Sequence, residues 1–241
     1  MEAQKPAAGK TLRQALRWRM VVQLLLVLVL FPMLPLLISW RWGWWQAWLA
    51  AGLPLVAMIV SRVLALRKYP DLAAERSQMT SAAGIKRWDR FLMPAVAFYL
   101  PAAVYATAGL DERFSWSPDL PVAVHLVGLA VIVLGYALST WALVENRFFS
   151  SVVRIQTDRG HTVVSTGPYR LVRHPAYAAG IWVMVAFALL LGSLWALIPA
   201  GLVAGGTVVR TALEDRTLQQ ELPGYAEYAR QTRYRLLPGV W

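Results

Sequence analysis

The sequence predicts an all-α integral membrane protein of about six transmembrane helices that ends in a helical hairpin. Three observations carry this expectation. Charged residues make up only 15% of the 241 residues against 58% hydrophobic ones. Soluble domains carry about 25% charged residues, so the deficit points to lipid as the solvent. Six apolar runs, at 20–39, 44–65, 91–108, 122–144, 176–191 and 194–209, divide the chain. The Lys and Arg side chains, finally, fall in short clusters between those runs.

Each run can be justified in turn. The first follows a basic segment containing Lys5, Lys10, Arg13, Arg17 and Arg19. It is too long for the core of a signal peptide and no small-residue cleavage site follows it, so a retained first span is expected. Trp40, Trp42, Trp44, Trp45 and Trp48 crowd the next turn as an interfacial belt. The first four runs reach, with their flanks, the roughly 20 residues needed to cross a 30 Å hydrocarbon core. The last two are shorter and meet at Gly192-Ser193, which predicts the tight hairpin. Gly201, Gly205 and Gly206 form a small-residue stripe expected to let helices approach closely.

Six spans place 22 of the 24 Lys and Arg residues on one side and only Arg41 and Arg113 on the other. The positive-inside tendency then puts both termini and both long basic loops on the cytoplasmic side of a cell or inner membrane. The opposite loop holds Asp111, Glu112 and Asp119. A net charge of +11 would suit nucleic acid, but charge scattered between apolar runs is topology rather than a binding face. The chain has no cysteine, which excludes disulfides, thiolate metal sites and a cysteine nucleophile. No glycine fingerprint for a nucleotide follows a strand.

Polar chemistry concentrates in 161–177, which holds two of the three histidines between two apolar segments. Thr166-Gly167-Pro168-Tyr169 reads as a turn after an extended connection over 152–164. Pro175 suits a first helical turn, which places His174 at a helix N-terminus. Free N–H groups and the helix dipole make such a terminus a site for an anion, reinforced by Arg170 and Arg173. The residues alone leave an equal alternative, contact with anionic lipid headgroups. His161 read alone is a solvated or hydrogen-bonded loop histidine.

Arg210 and Glu214 stand one helical turn apart at the end of the last run. They are either a surface ion pair or, because ionisable groups at membrane depth are functional candidates, a working pair. Asp215 and Arg216 are expected to face water. His125 is expected to be a satisfied structural histidine, and Trp141, Tyr136 and Met184 to be packing residues. No metal ligand set is apparent.

The pattern His161-x-Val-Val-x-x-Gly167-Pro168-Tyr169-Arg170-x-x-Arg173-His174-Pro175-x-Tyr177 resembles the isoprenylcysteine carboxyl methyltransferases and their prokaryotic relatives. So does the tail, Arg210-Thr-Ala-Leu-Glu214-Asp215, then Leu218, Pro223-Gly-Tyr225-Ala-Glu-Tyr228 and Arg235-Leu-Leu-Pro238. The resemblance divides the chain into N-terminal spans, 1–127, and a cofactor-binding core, 128–241. It implies an S-adenosylmethionine-dependent membrane methyltransferase that uses no metal and no nucleic acid. The cofactor would sit in a cytoplasmic pocket, and a lipophilic or lipid acceptor would enter from the bilayer.

Carried over by position, the cofactor contacts would be His161, Thr162, Val163, Val164, Gly167, Tyr169, His174, Pro175, Ala176, Tyr177 and Glu214. Arg210 would face the acceptor, and Arg210 and Glu214 would be the catalytic pair. Family members commonly have Glu-Glu where this chain has Glu214-Asp215, a swap that keeps the charge. A carboxylate acceptor needs no base, whereas an amine would draw on Glu214 or His174. The expected reaction is methylation of a lipophilic carboxylate. The alternatives are methylation of a phospholipid amine, or a protein that binds lipid headgroups without catalysis.

Overall fold

The computed structural model describes residues 29–70 and 84–241. The basic N-terminus, the start of the first run and part of the first basic loop lie outside the described residues. Among those described there are helices and turns but no strands. Helix α1 occupies Val29–Ser39 and α2 Trp45–Lys68. Helix α3 runs over Asp89–Phe114, α4 over Val122–Glu145 and α5 over Pro175–Leu190. Helix α6 covers Leu197–Glu221 and the short α7 covers Tyr225–Gln231. Of these, α2, α3, α4 and α6 are long and apolar enough to cross a membrane, while α5 and the described part of α1 are shorter apolar helices.

The closest helix pair is α4 with α5, and its cause is local. A side chain at Gly128 would come within 2.7 Å of the Leu190 amide nitrogen and 2.9 Å of the Ala186 carbonyl. At Gly135 it would collide with Val183. Absent side chains therefore set the helix separation, as small residues do between membrane helices. The glycine stripe expected to do this behaves differently. Gly201 and Gly205 meet no neighbour within 4 Å, and only Gly206 packs closely, against Val96. A glycine pattern records permission for close approach, and here α4 supplies the helix that uses it.

Helix α3 carries a π-helical turn at Ala95–Tyr99. Pro101 has no N–H for the Ala97 carbonyl. One residue earlier, the Leu100 N–H reaches back to the Ala95 carbonyl, widening the turn. This wide turn contains Val96, which fills the space left by Gly206 of α6.

The loop-rich end opposite the two chemistry-bearing segments is pinned by Asp111, only 3% exposed. It accepts from the Ser117 N–H and hydroxyl at 2.7 and 2.6 Å and from the Ser193 hydroxyl. Ser193 in turn accepts the Ala196 N–H at 3.0 Å, capping the entry to α6. The His125 Nδ1 lies 2.9 Å from the Leu190 carbonyl at the end of α5, the structural role expected of it. Leu36, Val104, Ile132 and Phe187 are fully buried where the helices converge.

One expectation about length fails. The last apolar run stops at 209, yet α6 continues through Thr217 to Glu221. Arg210 and Glu214 therefore lie within the helix and not at its end. The polar turns stay helical because they are packed against the loop and tail, where tertiary contact outweighs hydropathy.

Candidate active site

The connection from α4 to α5 wraps over the polar half of α6. Gln156, 1% exposed, ties it together. Its side-chain amide donates to the Phe148 carbonyl at 2.5 Å and accepts from Arg159 at 2.7 Å. Its backbone N–H points to the His161 Nδ1 at 3.4 Å, so the ring proton of neutral His161 belongs on Nε2. The imidazole packs 4.7 Å from the Phe148 ring. Burial, and then the Arg159 and Arg154 charges, lower its pKa to about 4. His161 is thus a neutral, half-buried group, the hydrogen-bonded form of the two expected and not the solvated one. The connection is irregular rather than extended, with a 3-10 turn at Thr157–Arg159.

A second 3-10 turn, Gly167–Arg170, presses on the end of α4. Gly167 has φ +56°, and a side chain there would meet Glu145 at 2.9 Å and the Trp141 indole nitrogen at 3.1 Å. Its contribution is to let the turn dock and present Tyr169. That hydroxyl donates to the Ala142 carbonyl and receives the Asn146 amide, both at 3.3 Å. The Tyr169 carbonyl takes the Tyr228 hydroxyl at 2.7 Å. Burial pushes the Tyr169 phenol above its ordinary pKa, so it stays protonated.

Asp215 overturns the expectation that it faces water, because it is 0% exposed. Arg173 grips it through Nε and Nη2 at 2.7 and 2.9 Å. Arg235 adds a bond at 2.9 Å, Gln219 one at 2.8 Å and the Tyr225 hydroxyl one at 3.1 Å. The His174 Nε2 sits 3.4 Å away. The tail closes the arrangement, with Tyr234 and Arg235 carbonyls accepting the Arg173 and His174 N–H groups at 2.9 Å. Arg173 is consequently not the anion contact expected of it, since its Nη1 also serves the Thr232 and Arg233 carbonyls. Five donors on one carboxylate offset the burial of its charge, where a lone pair of charges would not. Arg216 does face solvent.

His174 precedes the first turn of α5, as expected, with Pro175 at its start. Its ring stacks parallel on Tyr177, centroids 5.7 Å apart. The Tyr177 hydroxyl donates to Glu214 at 2.6 Å. These groups line a cavity of about 800 Å³ including its mouth. Every expected cofactor contact except Gly167 lines it: His161, Thr162, Val163, Val164, Tyr169, His174, Pro175, Ala176, Tyr177 and Glu214. Glu214 is the acid on its described wall, while Arg154 and the first turn of α5 offer positive character. The donor set fits a ligand bearing both a cation and a carboxylate. Among the described residues no group of three or more His, Asp or Glu side chains is arranged to hold a metal.

Arg210 does not pair with Glu214. It is 5% exposed and grips the fully buried Asp89 through Nε at 2.7 Å and Nη2 at 3.2 Å. The Nη2 also donates to the Ser151 carbonyl at 2.7 Å. Asp89 binds the Val153 N–H at 2.7 Å, so this pair fastens α3, α6 and the loop together. The guanidinium lies 5.2 Å from the Tyr177 ring centroid. It lines a second cavity of about 840 Å³ including its mouth, walled mostly by apolar groups such as Phe31, Val96 and Met184 together with Tyr105, Tyr136 and Thr207. Ala176 and Tyr177 belong to the walls of both cavities. Tyr136 and Met184, expected only to pack, thus border open space.

Sequence reasoning passed over Asp89, Asn146, Gln156 and Tyr225 as contributors. Asp89 had one available signal, an acid at the edge of an apolar run. Gln156 and Asn146 had none, since their roles depend on how a loop folds.

Comparison with known proteins bears out the resemblance. Residues 126–220 match the Isoprenylcysteine carboxyl methyltransferase (ICMT) family. The chain is also similar to two rice proteins, from Oryza sativa subsp. indica and subsp. japonica. Each is named "Probable protein-S-isoprenylcysteine O-methyltransferase" and is 38% identical over 56 residues. The match covers 23% of this chain and 29% of each relative's length.

Proposed function

We propose that this protein is an integral membrane methyltransferase that moves a methyl group from S-adenosylmethionine to a carboxylate oxygen of a lipophilic acceptor. The observation that carries the reading is the junction of the two cavities. A polar cavity with one facing acid and a helix N-terminus adjoins an apolar cavity ending in an arginine, with Tyr177 between them. The ICMT match over residues 126–220 covers most of the residues involved.

Bound there, the cofactor supplies an electrophilic methyl group on a sulfonium. Glu214 holds the cationic part, and the first turn of α5 beside His174 faces its carboxylate. Tyr169 and Tyr177 supply aromatic surface to the adenine or the cation. The acceptor lies in the apolar cavity with its carboxylate toward Arg210. An ionised carboxylate needs no base, so positioning and exclusion of water carry the catalysis. We place this site, both termini and both basic loops in the cytoplasm, with six spans in the membrane. Residues 1–127 then shape the acceptor side and 128–241 form the cofactor core.

One observation favours a second reading, a lipophilic amine acceptor. Asp89 neutralises Arg210, and Glu214 adds an acid nearby. Purified protein given methyl-labelled cofactor and either a farnesyl thioether carboxylate or its amine analogue separates the two. Base-labile label on the carboxylate supports the proposal, and base-stable label on the amine replaces it with the second reading. Failure to bind S-adenosylhomocysteine in a Tyr169- and His174-dependent way overturns both.

A further inference from the structure

The geometry points to Asp89 as a positioning residue that makes Arg210 a one-armed, charge-balanced anchor for the acceptor carboxylate. The inference rests on the carboxylate reading above. Asp89 comes from the N-terminal half of the chain, at the start of α3, and reaches Arg210 near the middle of α6.

An arginine presents five N–H donors in a planar fork, and its usual grip on a carboxylate is bidentate. Here three of the five are occupied. The Nε hydrogen goes to Asp89 Oδ1 at 2.7 Å, and the Nη2 hydrogens go to Asp89 Oδ2 at 3.2 Å and the Ser151 carbonyl at 2.7 Å. The acceptor side is left with Nη1. Asp89 is itself fixed by the Val153 N–H at 2.7 Å, and both partners are buried, so the fork cannot turn its other edge to the cavity without breaking that bond.

This matters for transfer to oxygen. A carboxylate held by both oxygens has one lone pair of each oxygen engaged and both oxygens pinned in the plane of the fork. Held by one, it can attack with the other. In the step, a carboxylate oxygen forms a bond to the methyl carbon as the bond from sulfur to that carbon breaks. The electron pair stays on sulfur, and a neutral ester and a neutral thioether result, with no proton moved. Charge is therefore lost on the way to the transition state. A full, unbalanced arginine charge beside the acceptor would stabilise the ground-state anion more than the dispersed transition state, which raises the barrier. Asp89 removes that bias while leaving one donor for alignment.

The test is Asp89→Asn, assayed with N-acetyl-S-farnesylcysteine and methyl-labelled cofactor, with thermal midpoint and S-adenosylhomocysteine affinity measured alongside. The expected result is a kcat lower by about tenfold or more together with an acceptor KM that is unchanged or lower, as lost transition-state preference predicts. Cofactor affinity should stay within about twofold, since Asp89 does not line that cavity. A KM that rises while kcat holds overturns the inference, as does parallel loss of kcat, cofactor affinity and thermal midpoint. Should Asp89→Asn fail to fold, Arg210→Gln is compared with the Asp89→Asn, Arg210→Gln double variant. A residue acting only through Arg210 adds less than about twofold to the loss in kcat, and an independent additional tenfold loss overturns the inference. Wild-type protein that binds S-adenosylhomocysteine but methylates only the amine analogue overturns the carboxylate reading itself.

Discussion

Two buried aspartates at opposite ends of the helical bundle make different use of the same charge. Asp111 is surrounded by serine hydroxyls and a backbone N–H, and it staples the turn after α3 to the turn before α6. Asp215 is surrounded by Arg173, Arg235, His174 and Tyr225, and it holds the wall of a cavity. The neutral donors around Asp111 satisfy one anion and end there. Of the partners around Asp215, Arg173 is buried and Arg235 partly so, and they are linked onward to the tail and to the first turn of α5, so that carboxylate fixes the orientation of several groups at once. The difference teaches that a buried acid gains reach from the charge of its partners.

The largest effect should come from breaking the second arrangement. Asp215→Ala leaves the Arg173 charge buried without its partner, a situation that destabilises by about 3–5 kcal/mol. Thermal unfolding in detergent should show that loss, and S-adenosylhomocysteine binding should vanish with it. Asp111→Ala provides the contrast. It leaves hydroxyl and amide donors unsatisfied, at about 1–3 kcal/mol, while methyl transfer per folded molecule stays unchanged. Equal losses of activity per folded molecule in the two variants would erase the distinction.

A third substitution asks whether helix separation matters equally at both ends. Gly128→Ala drives a methyl group into the backbone of α5 near Leu190, on the Asp111 side. Overpacking of this kind destabilises by about 1–3 kcal/mol, and it should lower the thermal midpoint without changing cofactor affinity. A fall in affinity instead would mean that α5 transmits the strain along its length to His174.

How much of this was legible in the sequence follows the same division. Hydropathy located α2, α4 and α5 to within a few residues but stopped short of the polar ends of α3 and α6 and missed α7, because a run of apolar residues reports solvent and nothing else. The polar turns of α6 are helical for reasons that lie in the loop and tail. The residues of the polar cavity could be named from their motif, since ten of the eleven expected contacts line it. What each polar group does could not. Arg210 and Glu214 stand at ion-pair spacing, yet Arg210 is held by Asp89, a residue 121 positions away in sequence. Asp215 looked like a surface acid because its five donors come from four separate stretches of chain. Long-range partners leave no local pattern.

The change with the smallest effect on stability sharpens the comparison from inside the cavity. Glu214→Gln keeps the shape of the cavity and its acceptance of the Tyr177 hydroxyl but removes the facing charge. A charge-assisted bond contributes about 1.5–3 kcal/mol, so cofactor affinity should fall roughly tenfold or more with stability unchanged. His161 adds a pH dependence of known sign. Docked against Phe148 it has a pKa of about 4, held down chiefly by burial, whereas in an undocked loop it returns toward 6.5. Between those values the undocked form binds a proton that the docked form refuses, so docking weakens as pH falls through that window and is at full strength above it. Affinity for S-adenosylhomocysteine should accordingly drop from pH 7 to pH 5, and His161→Asn should flatten the part of that profile due to the loop. An Asp215-held wall alone would leave the profile the same in both proteins, since Asp215 is present in each. The slope difference between wild type and His161→Asn therefore measures how far the loop, rather than the aspartate framework, closes the cavity.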